Sequence, residues 1–82
     1  MKKTIYIFIS SYCVDPVVFT SFDEAKRQVD DEINYLKERY RYDDDEIKEC
    51  YDELNQCNIE SGYFGTYLGD TNIDVYIREI EI

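Results

Sequence analysis

Near the start of the chain Ile5, Ile7 and Ile9 alternate with Tyr6 and Phe8, so both faces of the segment are apolar and β-branched or aromatic residues dominate it. That pattern predicts a central strand. Cys13-Val14-Asp15-Pro16 reads as a turn, because proline cannot donate to a ladder and presets φ. Val17-Val18-Phe19 then predicts a short second strand, a hairpin partner of the first.

The periodicity next changes from two to between three and four. Ser21 with Glu24 three residues later fits a capping box. Phe22, Ala25, Val29, Ile33, Leu36 and Tyr40 follow at helical steps, one stripe of a helix running to about Tyr42 that should face the sheet. Asp43 with Glu46 marks a second N-cap with an acidic first turn. Ile47, Cys50, Tyr51, Leu54 and Cys57 form the buried stripe of a shorter helix, with Asn58 as its left-handed terminator.

Tyr63 to Leu68 reads as a strand interrupted by Gly65, and Gly69-Asp70-Thr71-Asn72 as turn chemistry leading into a last strand. There Ile73, Val75 and Ile77 share one face while Ile80 and Ile82 have the opposite parity. A bulge near Arg78-Glu79 would restore the phase; otherwise the strand is apolar on both sides. The chain is thus expected to form a single α+β domain over residues 1–82, in the order β-β-α-α-β-β. Its antiparallel sheet should carry both amphipathic helices on one face and the first and last strands at its centre.

Composition sharpens this picture. At 82 residues the chain holds one core, and 44% hydrophobic and 16% aromatic residues lie outside the range of disordered chains, so ordinary apolar packing can form it. Cys13, Cys50 and Cys57 have neither metal-type nor CxxC spacing, which points to a reducing compartment. No run reaches the length of a signal core or a membrane span, so a cytoplasmic protein is expected.

The formal charge is −10, from nineteen acids against nine bases, with no histidine. Such a chain is repelled by nucleic acid and anionic membranes and attracted by basic proteins. The lack of histidine removes the commonest general base and metal ligand. There is no GxSxG, no glycine-rich phosphate loop and nothing to activate the cysteines, so neither an enzyme nor a cofactor is expected. Asp70, Asn72, Asp74 and Glu81 match four positions of a calcium loop. Val75 stands where that loop needs glycine and no helix follows, so no metal site is expected either.

The charge is concentrated: the segment from Asp23 to Glu60 carries fourteen acids and six bases, a balance of −8. Asp45, Glu49, Asp52 and Glu53 fall on one side of the second helix with Asp44 beside them, opposite the apolar stripe. Carboxylates at i, i+4 lie about 6 Å apart along the axis, close to the phosphate spacing along one strand of nucleic acid. A solvated face that keeps the protein soluble is the simpler explanation. Like charges at that spacing cost helix stability, however, which a basic partner would relieve. Nine tyrosines add interface-type side chains, and Tyr42, beside Asp43-Asp44-Asp45-Glu46, is the one best placed for a contact surface.

The early strand, Phe19-Thr20-Ser21-Phe22-Asp23-Glu24-Ala25, the charged helix and the terminal Tyr76-Ile77-Arg78-Glu79-Ile80-Glu81-Ile82 strand together resemble the layout of small phage and mobile-element proteins. Acidic inhibitors of host defence, including anti-CRISPR proteins that occupy nucleic-acid-binding grooves, are similar in size and charge. The resemblance implies a protein-binding inhibitor that occupies a basic nucleic-acid-binding surface of a host protein, working in the host cytoplasm. Its expected partner-binding residues are Tyr42, Asp44, Asp45, Glu49, Asp52 and Glu53. The alternative is a small homo-oligomeric structural or assembly protein, a homodimer for instance, pairing through sheet edges and tyrosines.

Overall fold

A computed structural model describes residues 1–12 and 15–82. Strands β1 (Lys2–Ser10) and β2 (Val17–Phe19) come first, followed by helices α1 (Phe22–Tyr40) and α2 (Asp44–Asn55). A single 3-10 turn at Ile59–Ser61 leads to β3 (Tyr63–Leu68) and β4 (Thr71–Glu81). All pairings are antiparallel and the sheet order is β2-β1-β4-β3, which puts the first and last strands at the centre as the apolar pattern predicts. Of the residues read as the first turn, Cys13 and Val14 lie outside the described residues; Asp15 and Pro16 are exposed.

Side-chain chemistry sets the helix ends. The Ser21 hydroxyl accepts from the Glu24 N–H at 3.1 Å, and an Asp43 carboxylate oxygen accepts from the Glu46 N–H at 2.8 Å, each satisfying one of the free donors of a first turn. α1 stops two residues before the expected Tyr42, at Arg41, which adopts the left-handed conformation (φ 55°) and turns the chain into α2. Asn58 is not the left-handed terminator of α2. Its backbone is extended (φ −88°) and its side chain caps the 3-10 turn, whereas Gly62 takes the positive φ. A glycine meets that requirement without a Cβ penalty, and the asparagine does not have to.

The two-residue loop Gly69-Asp70 joins β3 to β4 with positive φ at its first residue only, the pattern of a type II′ hairpin. A Cβ on Gly69 would lie 2.0 Å from the Tyr42 hydroxyl, so the interhelical tyrosine packs directly on this turn.

The core occupies one face of the sheet. Phe8 of β1, Ile73 and Val75 of β4 and Phe64 and Leu68 of β3 meet Ala25, Val29, Ile33 and Leu36 of α1 and Cys50 and Leu54 of α2 in one buried cluster. α1 lies over β1, β2 and β4, and α2 lies over β3. Of the expected α1 stripe, Tyr40 alone is exposed.

β4 carries no bulge, so the other reading of its parity holds and the strand is apolar on both sides. Pairing with β1 runs residue for residue from Ser10↔Ile73 to Lys2↔Glu81. Ile73, Val75 and Ile77 therefore point to the helices, while Ile80 shares the opposite face with Ile5, Ile7 and Ile9. Beyond the ends of β2 and β3 the two central strands continue as a ribbon, closed by a bond from the Ile82 N–H to the Met1 carbonyl.

Candidate functional site

The helical repeat of about 100° per residue sorts the α2 side chains. Cys50 and Leu54 are buried and Ile47 and Tyr51 half-buried on one side; Glu46, Glu53, Glu49, Asp45 and Asp52 follow in that order around the exposed remainder. The structure thus brings Asp45, Glu49, Asp52 and Glu53 together on one continuous face, and adds Glu46 to them. Glu46, Glu49 and Glu53 also border a groove of about 310 Å³ between α2 and the outer edge of β3, closed on the far side by Tyr67, Leu68 and Gly69. Glu46 could have been found from its i, i+3, i+7 spacing to Glu49 and Glu53. Tyr67 could not, because only the packing of α2 over β3 brings it near.

Basic residues divide unevenly between the helices: α1 carries Lys26, Arg27, Lys37 and Arg39 against six acids, and α2 carries Lys48 alone against six. On α1, Lys26 pairs with Asp30 at 3.8 Å and stacks over the Tyr51 ring, whose hydroxyl donates to the same carboxylate at 3.1 Å. Desolvation and then the Asp30 charge push the Tyr51 phenol up to about 12. Asp44 of α2 meets Lys37 at 3.5 Å but is itself almost fully exposed. Among the described residues, no cation lies within ion-pair distance of Asp45, Glu46, Glu49, Asp52 or Glu53. Asp45 and Glu46 sit at the favourable end of the helix dipole. Asp52 and Glu53 sit at the unfavourable end, where no basic residue accompanies them.

Tyr42 is placed differently from the acids. It is half-buried at the core margin, with its ring 6.1 Å from that of Tyr40 and its hydroxyl against Gly69. Asp70, Asn72, Asp74 and Glu81 are strung from the hairpin loop along β4 rather than wrapped around a loop.

A second cavity, of about 400 Å³, lies between Tyr12 and the α1 residues Gln28, Asp31, Glu32 and Tyr35. Glu32 is 7% exposed, and burial raises its carboxyl above the usual range. The hydroxyls of Tyr12 and Tyr35 share a hydrogen bond of 3.0 Å. The Cys57 thiol donates to the Gly65 carbonyl at 3.3 Å and accepts from its N–H at 3.5 Å, occupying the outer edge of β3. Desolvation raises the pKa of the buried Cys50 thiol, the direction opposite to activation.

No protein-family model matches the chain, and no curated protein or solved structure shows significant similarity to it.

Proposed function

We propose that the chain is an acidic protein-binding module whose α2 face engages the basic, nucleic-acid-handling surface of a partner, without catalytic chemistry of its own. One observation carries this reading: Asp45, Glu46, Glu49, Asp52 and Glu53 form a contiguous exposed face with no cation paired to them among the described residues. α1, by contrast, carries four bases among its six acids, whereas α2 carries Lys48 alone. Two of the α2 carboxylates oppose the helix dipole, so the face carries an electrostatic cost that a cationic surface would relieve. The partner class suits an inhibitor that occupies a nucleic-acid-binding groove, the role implied by the resemblance to small phage-encoded proteins.

The test is affinity capture from a nucleic-acid-rich lysate, with the immobilised chain at about 50 mM and about 500 mM salt. Basic nucleic-acid-binding proteins should be retained at low salt and released at high salt. They should also be lost with Glu49→Lys/Asp52→Lys, which leaves the buried stripe untouched. Glu60→Lys/Asp70→Lys serves as the control for net charge; Asp74 is unsuitable because it accepts the Tyr63 hydroxyl. Equal loss with the two pairs of substitutions would reduce the effect to net charge and remove the assignment of the face.

A further inference from the structure

The sheet has a second face that, among the described residues, no helix covers. One row crosses all four strands on it, Val18-Ile7-Tyr76-Tyr63, and is wholly apolar or aromatic. Above it lies Ile9-Asp74-Gly65, and below it Ile5-Arg78. Val18 is 57% exposed and Ile9 37%. The face is also levelled: a Cβ on Gly65 would stand 2.5 Å from the Tyr63 hydroxyl, so the phenol lies across the glycine and donates to Asp74.

On a chain of charge −10, this face holds only Lys3, Arg78 and Asp74 as charged side chains, a balance of +1.

We propose that a second copy of this chain covers this face, forming a twofold dimer in which two sheets pack against each other and both helical layers point outward. Charge favours this face over the helical layer for the meeting of two copies. Two copies meeting through their helices would set acid against acid, whereas the sheet face lets them approach with the repelling surfaces far apart.

The register adds complementarity. A twofold axis lying in the interface and crossing the strands at the Ile7-Tyr76 row sets the Ile5-Arg78 row of one copy against the Ile9-Asp74 row of the other. Arg78, which within one chain donates to the Gly62 and Ile77 carbonyls, and Asp74, which accepts from Tyr63, then bring opposite charges to facing rows, twice over.

The extent is adequate as well. Strand spacing and rise give about 450 Å² of projected sheet per copy. Large side chains corrugate that area, so the pair reaches the lower end of the roughly 1,200–2,000 Å² of a stable interface. The edges are less suited, because β2 is three residues long and Cys57 occupies β3 at Gly65. This surface is separate from the α2 face, and the dimer stands or falls independently of it.

Sedimentation equilibrium of the full chain from about 5 to about 200 µM is the test. The unaltered chain should be a dimer in that range, and the dimer should tighten about threefold or more between about 50 and 500 mM salt, because screening relieves the repulsion of two acidic bodies. Salt acts in the opposite direction on the α2 contact, so failure of one reading cannot be mistaken for failure of the other.

Ile9→Lys/Val18→Lys should be monomeric with unchanged circular dichroism, and Glu49→Lys/Asp52→Lys should remain dimeric. Should the lysine pair fail to fold, Ile7→Cys reports instead. Lying on the axis, it should be cross-linked between copies by a short bis-maleimide well beyond the background of the unaltered chain, while Asp70→Cys at the hairpin loop should not. A monomer throughout the range, a dimer indifferent to the lysine pair, or a cross-link favouring position 70 would each overturn the proposal.

Discussion

The two faces of the sheet are nearly matched in apolar content and opposite in fate. On one, Phe8, Ile73 and Val75 are at most 1% exposed beneath α1; on the other, Ile7 and Tyr76, their immediate neighbours, are half-buried by their own sheet, and Ile9 and Val18 are exposed. Alternating apolar residues on both sides of a strand indicate burial on both sides. Here two helices supply one layer only, and both are used on the same face. The lesson is that apolar periodicity specifies how much surface a strand is suited to bury, while the number of covering elements decides how much of it the chain buries by itself.

The largest expected effect contrasts the faces directly. Ile33→Ala, on the buried stripe of α1, should cost about 2–5 kcal/mol of unfolding free energy. Val18→Ala should stay within about 0.5 kcal/mol in dilute solution. Urea denaturation of both variants at low protein concentration measures the contrast, and equal costs would mean that the second face is already covered.

Next in size is the hairpin that ties α2 to the sheet. Gly69→Ala puts a Cβ into the Tyr42 hydroxyl and an L-residue at φ 61°, and should cost at least about 1–2 kcal/mol. Adding Tyr42→Phe should recover part of the loss; full additivity in that double-mutant cycle would show that the two residues do not touch.

A smaller effect with the opposite sign is expected at Glu32. Its carboxyl pKa is raised in the fold by burial, so the native state holds the proton more tightly than the unfolded chain. That contribution is present at low pH and lost as pH rises through the raised value. Glu32→Gln should therefore raise the melting temperature at neutral pH, and its advantage should shrink toward pH 4. A variant no more stable than the parent at pH 7 would show that the carboxylate is already well solvated.

The smallest effect belongs to Tyr51. With its folded pKa raised to about 12 from the ordinary 10, stability should hold below pH 10 and fall from there to about 12. Tyr51→Phe should lose about 0.5–1.5 kcal/mol with the bond to Asp30, yet show a shallower alkaline decline. Equal alkaline slopes in chemical denaturation would remove Tyr51 as a source.

Element order, both helix caps and the central position of β1 and β4 were legible because each rests on short-range signals: Ser21 and Asp43 with a glutamate three residues on, and runs of alternating isoleucine. Three features were not. Asn58 is a residue type that often ends helices, but its side chain caps the 3-10 turn that leads into β3, a turn with no signal of its own in the sequence. The parity of Ile80 and Ile82 left open a bulge or a strand apolar on both sides, and the register with β1, a pairing between the two ends of the chain, decides for the second. Of the α2 face, Asp45, Glu49, Asp52 and Glu53 followed from helical spacing, whereas the groove beside them needed Tyr67 from a strand.

The proposed dimer would bury both faces of this sheet, one within the chain and one between chains. The most direct measurement is methyl NMR of the isoleucines and valines in the presence of a soluble paramagnetic probe, followed as protein concentration rises. Ile7, Ile9 and Val18 should shift and lose their paramagnetic broadening with concentration, while Ile33 and Ile73 stay constant throughout. Methyls of Ile7, Ile9 and Val18 that remain equally broadened at every concentration would contradict it.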